Sequence, residues 1–359
     1  MTVPMVRQLK RKIPGARITV LARTGAMADV FRRLTEVEEV LVTGAGLKGA
    51  WRNVADVRAR KPDVYLVPFP SNRWQYSMMA LLSGAKWKVL HAYPVGYWRA
   101  MHFLPSQRVE AKRGIHDVEQ NLNLLRALGI EPDAPESPTF VLTEDDRLRA
   151  AARLSASFPI IIHAGSAQTI LAQAKRWSTD SYRKLVANLE QEFGADRIIL
   201  VEGPDEAGVA RQIAPNGNIL KLDGPLAHAA AILERAALYV GSDSGLAHLA
   251  AAVGTPAVTL FAPADPDRVS PFGYRDLVVQ APTPCAPCFQ YPWKCPYPKL
   301  LCREPMCITT ITVDSVMDAV RRAMHSAKRQ ARGGSVGETA PHTQSQHTQS
   351  TSTSTTESA

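Results

Sequence analysis

The sequence predicts an α/β protein built as two units, each a parallel sheet flanked by helices. Three observations predict it. Short aliphatic runs alternate with amphipathic stretches through both halves of the 359 residues. A proline-rich stretch, Glu131-Pro132-Asp133-Ala134-Pro135-Glu136-Ser137-Pro138, separates the halves. Late in the chain, Ala237-Leu238-Tyr239-Val240 runs into Gly241-Ser242-Asp243-Ser244-Gly245-Leu246-Ala247-His248, a strand, a tight turn and a helix start; that helix closes at Gly254, before Pro256. The expected organisation is a first domain over 1–138, a second over 139–330 and a tail over 331–359.

Taken in order, the first half reads as an amphipathic helix from Val3 to Lys12, a strand from Arg17 to Ala22 and a helix from Gly25 to Leu34. A strand from Glu39 to Thr43, a basic helix from Ala50 to Arg60 and a strand from Asp63 to Phe69 follow. Next come a helix from Trp74 to Ser83 and a strand from Trp87 to His91. Residues 92–113 are aromatic and basic without periodicity and are expected to be irregular. A helix from His116 to Leu128 ends at Gly129, the residue type that most readily closes a helix. In the second half, strands are expected at Pro159–His163, Arg197–Val201 and Pro256–Phe261, besides the one at Leu238. Helices are expected at Thr179–Phe193, Asp205–Ile213, Leu226–Ala236 and Thr312–Lys328. From about Gly333 the chain is rich in Ser, Thr, Gln and His and is expected to be disordered. Two such units suggest Rossmann-like domains facing a cleft, with ligands at the carboxyl ends of the strands.

Composition narrows the function classes. Hydrophobic residues make up 45% of the chain, enough for globular cores, and no apolar run reaches the ~18–20 residues of a membrane span. The first residues lack the shape of a signal peptide, so a cytoplasmic protein is expected. Charge is uneven: Met1–Arg113 holds 20 Lys and Arg against 7 Asp and Glu (net +13), and the rest 22 against 26 (net −4). A basic half suits an anionic partner or is simply a solvated surface. No zinc-finger or aromatic RNA-binding pattern points to nucleic acid. Five cysteines fall between Cys285 and Cys307; Cys285, Cys288, Cys295 and Cys302 are candidate metal ligands, although their spacing fits no common zinc template. Reduced structural thiols are the preferred reading, and no metal or other cofactor is expected.

Three segments should converge at the strand ends of the second half. The first is Ile162-His163-Ala164-Gly165-Ser166, followed by Lys175-Arg176-Trp177; the second is Glu202-Gly203-Pro204-Asp205-Glu206; the third is the Asp243 turn. Ser244, Gly245 and Leu246 open a helix whose free N–H groups and dipole suit a phosphate. Ser166 can add a hydroxyl there and Lys175 a positive charge. Glu206 is either an ordinary acidic residue at a helix start or a hydrogen-bond acceptor for a ribose diol. His248 lies in the first helical turn and is either structural or a ligand contact. Asp243 is expected to organise its turn through backbone N–H groups, as an N-cap does, because a carboxylate facing a phosphate would otherwise be repulsive.

Asp243–Pro256, followed by Leu260-Phe261-Ala262-Pro263-Ala264-Asp265-Pro266, resembles the signature of glycosyltransferase family 9, the ADP-heptose:lipopolysaccharide heptosyltransferases. Lys175-Arg176-Trp177 is similar to the family's Lys-x-Trp, and Gly203–Glu206 lies in a similar Gly-x-x-x-Glu-type turn. His116–Ile130 is similar to its domain-closing helix, and Pro14–Leu21 to its second strand. The resemblance covers nearly the whole chain before the tail. It implies the GT-B fold and an inverting, metal-independent transfer of heptose from ADP-heptose to an anionic lipopolysaccharide inner-core acceptor. It implies donor contacts from Ser166, Lys175, Glu206, Asp243, Ser244, Gly245, Leu246 and His248, with Lys175 stabilising the departing ADP. Peripheral contact with the cytoplasmic face of the inner membrane would follow.

The chain departs from the family pattern at its start. Met1-Thr2-Val3-Pro4 resembles the end of the family's Gly-Asp-x-Leu-x-Thr-x-Pro loop, so the first strand of the N-terminal domain and the loop's catalytic Asp are expected to precede Met1. A start placed at an internal Met accounts for this better than a natural truncation. Asp29 and Asp56, on helices, match no base motif. Two alternatives stay open: a nucleotide-sugar-binding protein without transferase activity, and a nucleotide-sugar 2-epimerase. A hydrolase is disfavoured because Asp rather than Ser centres Gly241–Gly245, and a dehydrogenase because no G-x-G-x-x-G follows a strand.

Overall fold

The computed structural model describes residues 1–93, 98, 100–101, 103, 107–154, 156–165, 174–206, 208–290 and 306–333. The N-terminal half runs α1 (Val3–Lys12), β1 (Thr19–Ala22), α2 (Gly25–Arg32), β2 (Glu39–Val42), α3 (Gly46–Ala59), β3 (Val64–Leu66), α4 (Trp74–Leu82), β4 (Trp87–Ala92), β5 (Gln107–Glu110) and α5 (Asp117–Arg126). All its strand pairs are parallel, but they form two sheets among the described residues: β1 with β2, and β3-β4-β5. Helix α1 packs on both. Its Met5 joins Val89 of β4 and Val118, Leu122 and Leu125 of α5, while Val3 and Val6 pack with Leu34 and Ile18 beside β1 and β2.

After the linker come α6 (Glu144–Arg153), β6 (Ile160–His163), α7 (Thr179–Phe193), β7 (Ile198–Glu202), α8 (Val209–Ile213), β8 (Asn218–Lys221), α9 (Leu226–Glu234), β9 (Leu238–Ser242) and α10 (Gly245–Ala252). They are followed by β10 (Ala257–Phe261), α11 (Pro266–Val269), β11 (Val278–Gln280), α12 (Met306–Thr309) and α13 (Val313–Gly333). One six-stranded sheet, in the order β11-β10-β9-β6-β7-β8, carries this half, and every ladder is parallel. Alternation along β6 shows why it is central. Ile160 and Ile162 point into a core shared with α7 and α13, and Ile161 into the core under α9 and α10.

Several expectations are corrected. Residues 107–110 are not irregular: they form β5, whose alternating partial burial and charged residues mark a sheet edge, where periodicity is weak. The helix expected over Asp205–Ile213 is a 3-10 turn at Pro204–Glu206 and then α8, because Gly208 at φ 90° interrupts it. Helix α6 and the short strands β8 and β11 lie outside the elements predicted from sequence. Residues 334–359, most of the expected disordered tail, lie outside the described residues.

Buried polar contacts join the halves. Asp117, at the start of α5, pairs with Arg268 of α11 at 2.7 Å, and both are buried. The neighbouring His116 ring lies 2.9 Å from the Ser270 carbonyl and edge-on to Phe272. Arg33, after α2, pairs with Asp146 of α6 at 2.7 Å. No helix among the described residues is long and apolar enough to cross a membrane.

Candidate functional site

The order β9-β6-β7 sets the carboxyl ends of three strands side by side, and the three predicted segments leave from them. Lys175 lies beyond β6 in the chain, and Ser166, between the two, lies outside the described residues. Trp177 fixes the segment: it is buried, donates its indole N–H to the Ile311 carbonyl at 3.0 Å and meets Tyr182 edge-on. From that anchor the Lys175 ammonium reaches the Asp243 carboxylate and forms a short charge-assisted hydrogen bond.

Asp243 therefore differs from its expected role. It does not cap the helix: Ser244 is the N-cap residue, and the Asp243 carboxylate instead takes Lys175 on one oxygen while its other lies 3.9 Å from His248 Nε2. The carboxylate is spared repulsion by a cation rather than by backbone donors. The cleft walls strip water from His248 and lower its pKa to about 4 against the opposing pull of Asp243, although a third of the side chain stays accessible. Its imidazole is neutral at pH 7.

Helix α10 starts without any side-chain cap. Gly245 at its first turn is exposed, and a Cβ placed there would meet nothing within 4 Å. The first N–H groups, at Gly245, Leu246 and Ala247, lie at the positive end of the helix dipole, with open space beside Gly245, an arrangement suited to an anion.

Glu206 comes from the 3-10 turn after β7 and folds back over Gly165. A Cβ on Gly165 would stand 1.9 Å from the Glu206 carboxyl carbon, so only glycine leaves the carboxylate its place. Burial pushes the Glu206 pKa up, but the His163 hydrogen bond and charge, the Gly203 N–H and the charge of Arg176 outweigh it, and the net direction is down. The ionised Oε2 takes His163 Nε2 at 2.7 Å and the Gly203 N–H at 3.4 Å; Oε1 has no partner among the described residues. His163 and Gly165 had no assigned role in the sequence, yet a histidine closing an otherwise aliphatic buried strand is a readable signal: such a group is retained only with partners.

Thus Lys175, Glu206, Asp243, Ser244, Gly245, Leu246 and His248 gather on one face. The cysteines do not join it as a described cluster. Cys285 and Cys288 are exposed and Cys307 is buried in the sheet core, while Cys295 and Cys302 lie outside the described residues. No group of three metal-type ligands occurs among the described residues.

Comparison with known proteins identifies the family and the fold. Residues 80–299 match the family model for glycosyltransferase family 9 (heptosyltransferase). Lipopolysaccharide heptosyltransferase 3 of Escherichia coli K12 is 26% identical over 291 residues, covering 74% of this chain and 79% of that protein. The structure of a family 9 glycosyl transferase from Veillonella parvula superposes with a TM-score of 0.71 at 16% identity, covering 90% of this chain and 93% of that one. E. coli ADP-heptose lps heptosyltransferase II gives 0.69 at 19% identity, covering 91% and 95%. These structures show that the fold is GT-B. With the matched model spanning more than half of its residues, the chain belongs to glycosyltransferase family 9, the heptosyltransferases.

Proposed function

We propose that this glycosyltransferase moves a heptose, with inversion, from ADP-heptose to the inner core of lipopolysaccharide. The observation that carries the reading is the uncapped start of α10, flanked by Lys175 and faced by a Glu206 whose Oε1 is unoccupied among the described residues. The printed names of the relatives, lipopolysaccharide heptosyltransferase 3 and ADP-heptose lps heptosyltransferase II, support the donor and the acceptor class.

In this reading Glu206 Oε1 accepts from the ribose hydroxyls, and the Gly245, Leu246 and Ala247 N–H groups hold the diphosphate, with Ser166, Ser244 and His248 beside it. Lys175 exchanges its bond to Asp243 for the phosphate, and Asp243 keeps the ammonium at that edge of the site. An acceptor hydroxyl attacks the anomeric carbon from the face opposite the diphosphate. The bond to ADP breaks with its electron pair on the phosphate, where the fixed dipole and Lys175 stabilise it. The reaction so drawn asks for no cofactor. No residue of the chain is assigned as the base that takes the acceptor proton. The basic N-terminal half suits an anionic acceptor displayed at the cytoplasmic face of the inner membrane.

The test is ADP release from ADP-heptose with a heptose-deficient lipopolysaccharide core as acceptor, run beside UDP- and GDP-sugars and with a chelator. ADP release specific to ADP-heptose and indifferent to chelator is expected. Lys175→Ala should slow it about a hundredfold, the usual scale for losing one group that stabilises developing charge. ADP binding without transfer would select a donor-binding protein, and absence of ADP binding would overturn the reading.

A further inference from the structure

Behind the donor face, three side chains continue inward from Glu206 in an unbroken line. His163 closes β6 and Tyr239 lies on the neighbouring strand β9; both are buried. His163 Nε2 is 2.7 Å from Glu206 Oε2, and His163 Nδ1 is 3.1 Å from the Tyr239 hydroxyl. The Tyr239 hydroxyl is in turn 3.1 Å from Ser244 Oγ. Two glycines clear the space. A Cβ on Gly241 would stand 2.6 Å from the Tyr239 hydroxyl, and one on Gly165 would strike the Glu206 carboxylate.

An ionised Glu206 only accepts, so His163 Nε2 donates. With a neutral ring Nδ1 accepts from Tyr239 and Tyr239 from Ser244; with a protonated ring both bonds reverse, and in either state the Ser244 hydroxyl stays bonded to Tyr239. Burial raises the Tyr239 pKa, which keeps its proton in place. The consequence lies at Ser244. A serine at an N-cap ordinarily accepts from the second or third N–H of its helix. Here the hydroxyl is held on Tyr239, and the helix start carries no side-chain cap.

We propose that His163 and Tyr239 are positioning residues for the donor: they fix Glu206 for the ribose and hold the Ser244 hydroxyl off the start of α10, leaving its N–H groups to the diphosphate. The inference rests on the donor reading above. Tyr239→Phe removes one oxygen at nearly constant volume and frees Ser244 to turn onto the Leu246 or Ala247 N–H.

Calorimetric titration with ADP and with adenosine tests it, with thermal unfolding of each variant as the check on folding. Tyr239→Phe should weaken ADP about tenfold, the scale of one charge-assisted hydrogen bond, and leave adenosine unchanged. In a Ser244→Ala background the same change should cost nothing further, because no hydroxyl remains to swing. A merely structural role would weaken ADP equally in both backgrounds, and that result overturns the proposal, as does wild-type affinity in Tyr239→Phe. Should Tyr239→Phe fail to fold, His163→Gln and His163→Leu decide. The amide of Gln still donates towards Glu206, so adenosine binding should survive in His163→Gln and fall in His163→Leu; equal binding by the two overturns the proposal. A wild-type protein that binds neither ligand overturns the donor reading and this inference with it, whereas wild-type binding with unaffected variants overturns the inference alone.

Discussion

The two halves of the molecule share one local pattern and differ in what it builds. In the C-terminal half every residue of β6, β7, β9 and β10 is buried, and six strands form one sheet. In the N-terminal half β1, β2 and β3 bury a single residue between them, Ala22, and the ladder stops between β1-β2 and β3-β4-β5 among the described residues. The difference teaches that β/α alternation fixes the identity of elements, while burial depends on whether each strand has neighbours on both edges and helices on both faces. The proposed donor face sits at the ends of the fully buried central strands, which suits a site whose hydrogen-bond donors must hold their positions before the ligand arrives.

Hydrogen exchange should show the largest contrast. Opening free energies within one protein range from near zero to the global value, so amides of β1, β2 and β3 should exchange at least about a hundredfold faster than those of β6 and β9. Equal protection in the two sheets would mean that the N-terminal ladder, despite its exposure, opens only with the whole molecule.

Core truncation should sharpen the same contrast at the level of single side chains. Ile161 is fully buried between strand and helices, so Ile161→Ala should cost about 2–5 kcal/mol. Leu21 of β1 is only partly buried, and Leu21→Ala should cost about 1 kcal/mol or less. Denaturant unfolding, followed by a probe in each half, checks both values. Comparable losses would show that β1 is as tightly held as β6.

How much of this was legible beforehand follows the same division. The strands that read most clearly, around Ile160, Ile198 and Leu238, are those buried on both faces, because continuous aliphatic runs leave little choice. The edge strands β5, β8 and β11 carry Gln, Arg, Asn and Lys and look like loops. At the site, Lys175, Glu206 and the Asp243 turn could be singled out because their residue types announce charge and phosphate chemistry. What Asp243 binds could not be read, since a carboxylate next to a turn is an equally good cap or ion-pair partner; only the placement of Trp177, which sets the reach of Lys175, decides. His163 and Tyr239 were hidden for the opposite reason: they sit on adjacent strands, two residues out of register and 76 residues apart in sequence, and nothing local pairs them.

The smallest expected effect concerns acid. His91 of β4 is buried against the rings of Phe69 and Tyr93, and its ring nitrogens are poorly satisfied, the Gln120 backbone giving them at most a weak hydrogen bond. Burial lowers its pKa to about 4, with the Gln120 backbone pulling the other way. Since the folded pKa lies below the unfolded value of 6.5, the unfolded chain binds the extra proton first. Stability is therefore complete above about pH 6.5, falls as pH drops towards 4, and at pH 5.5 is reduced by about 1 kcal/mol. His248 in the other half contributes with the same sign and the same window. His91→Phe should flatten, without abolishing, the fall of the unfolding midpoint between pH 7 and 5, and should raise stability at neutral pH because two poorly satisfied nitrogens leave the core. A slope unchanged by His91→Phe would assign the acid response to the other two histidines whose pKa burial lowers, His116 and His248, rather than to the N-terminal sheet.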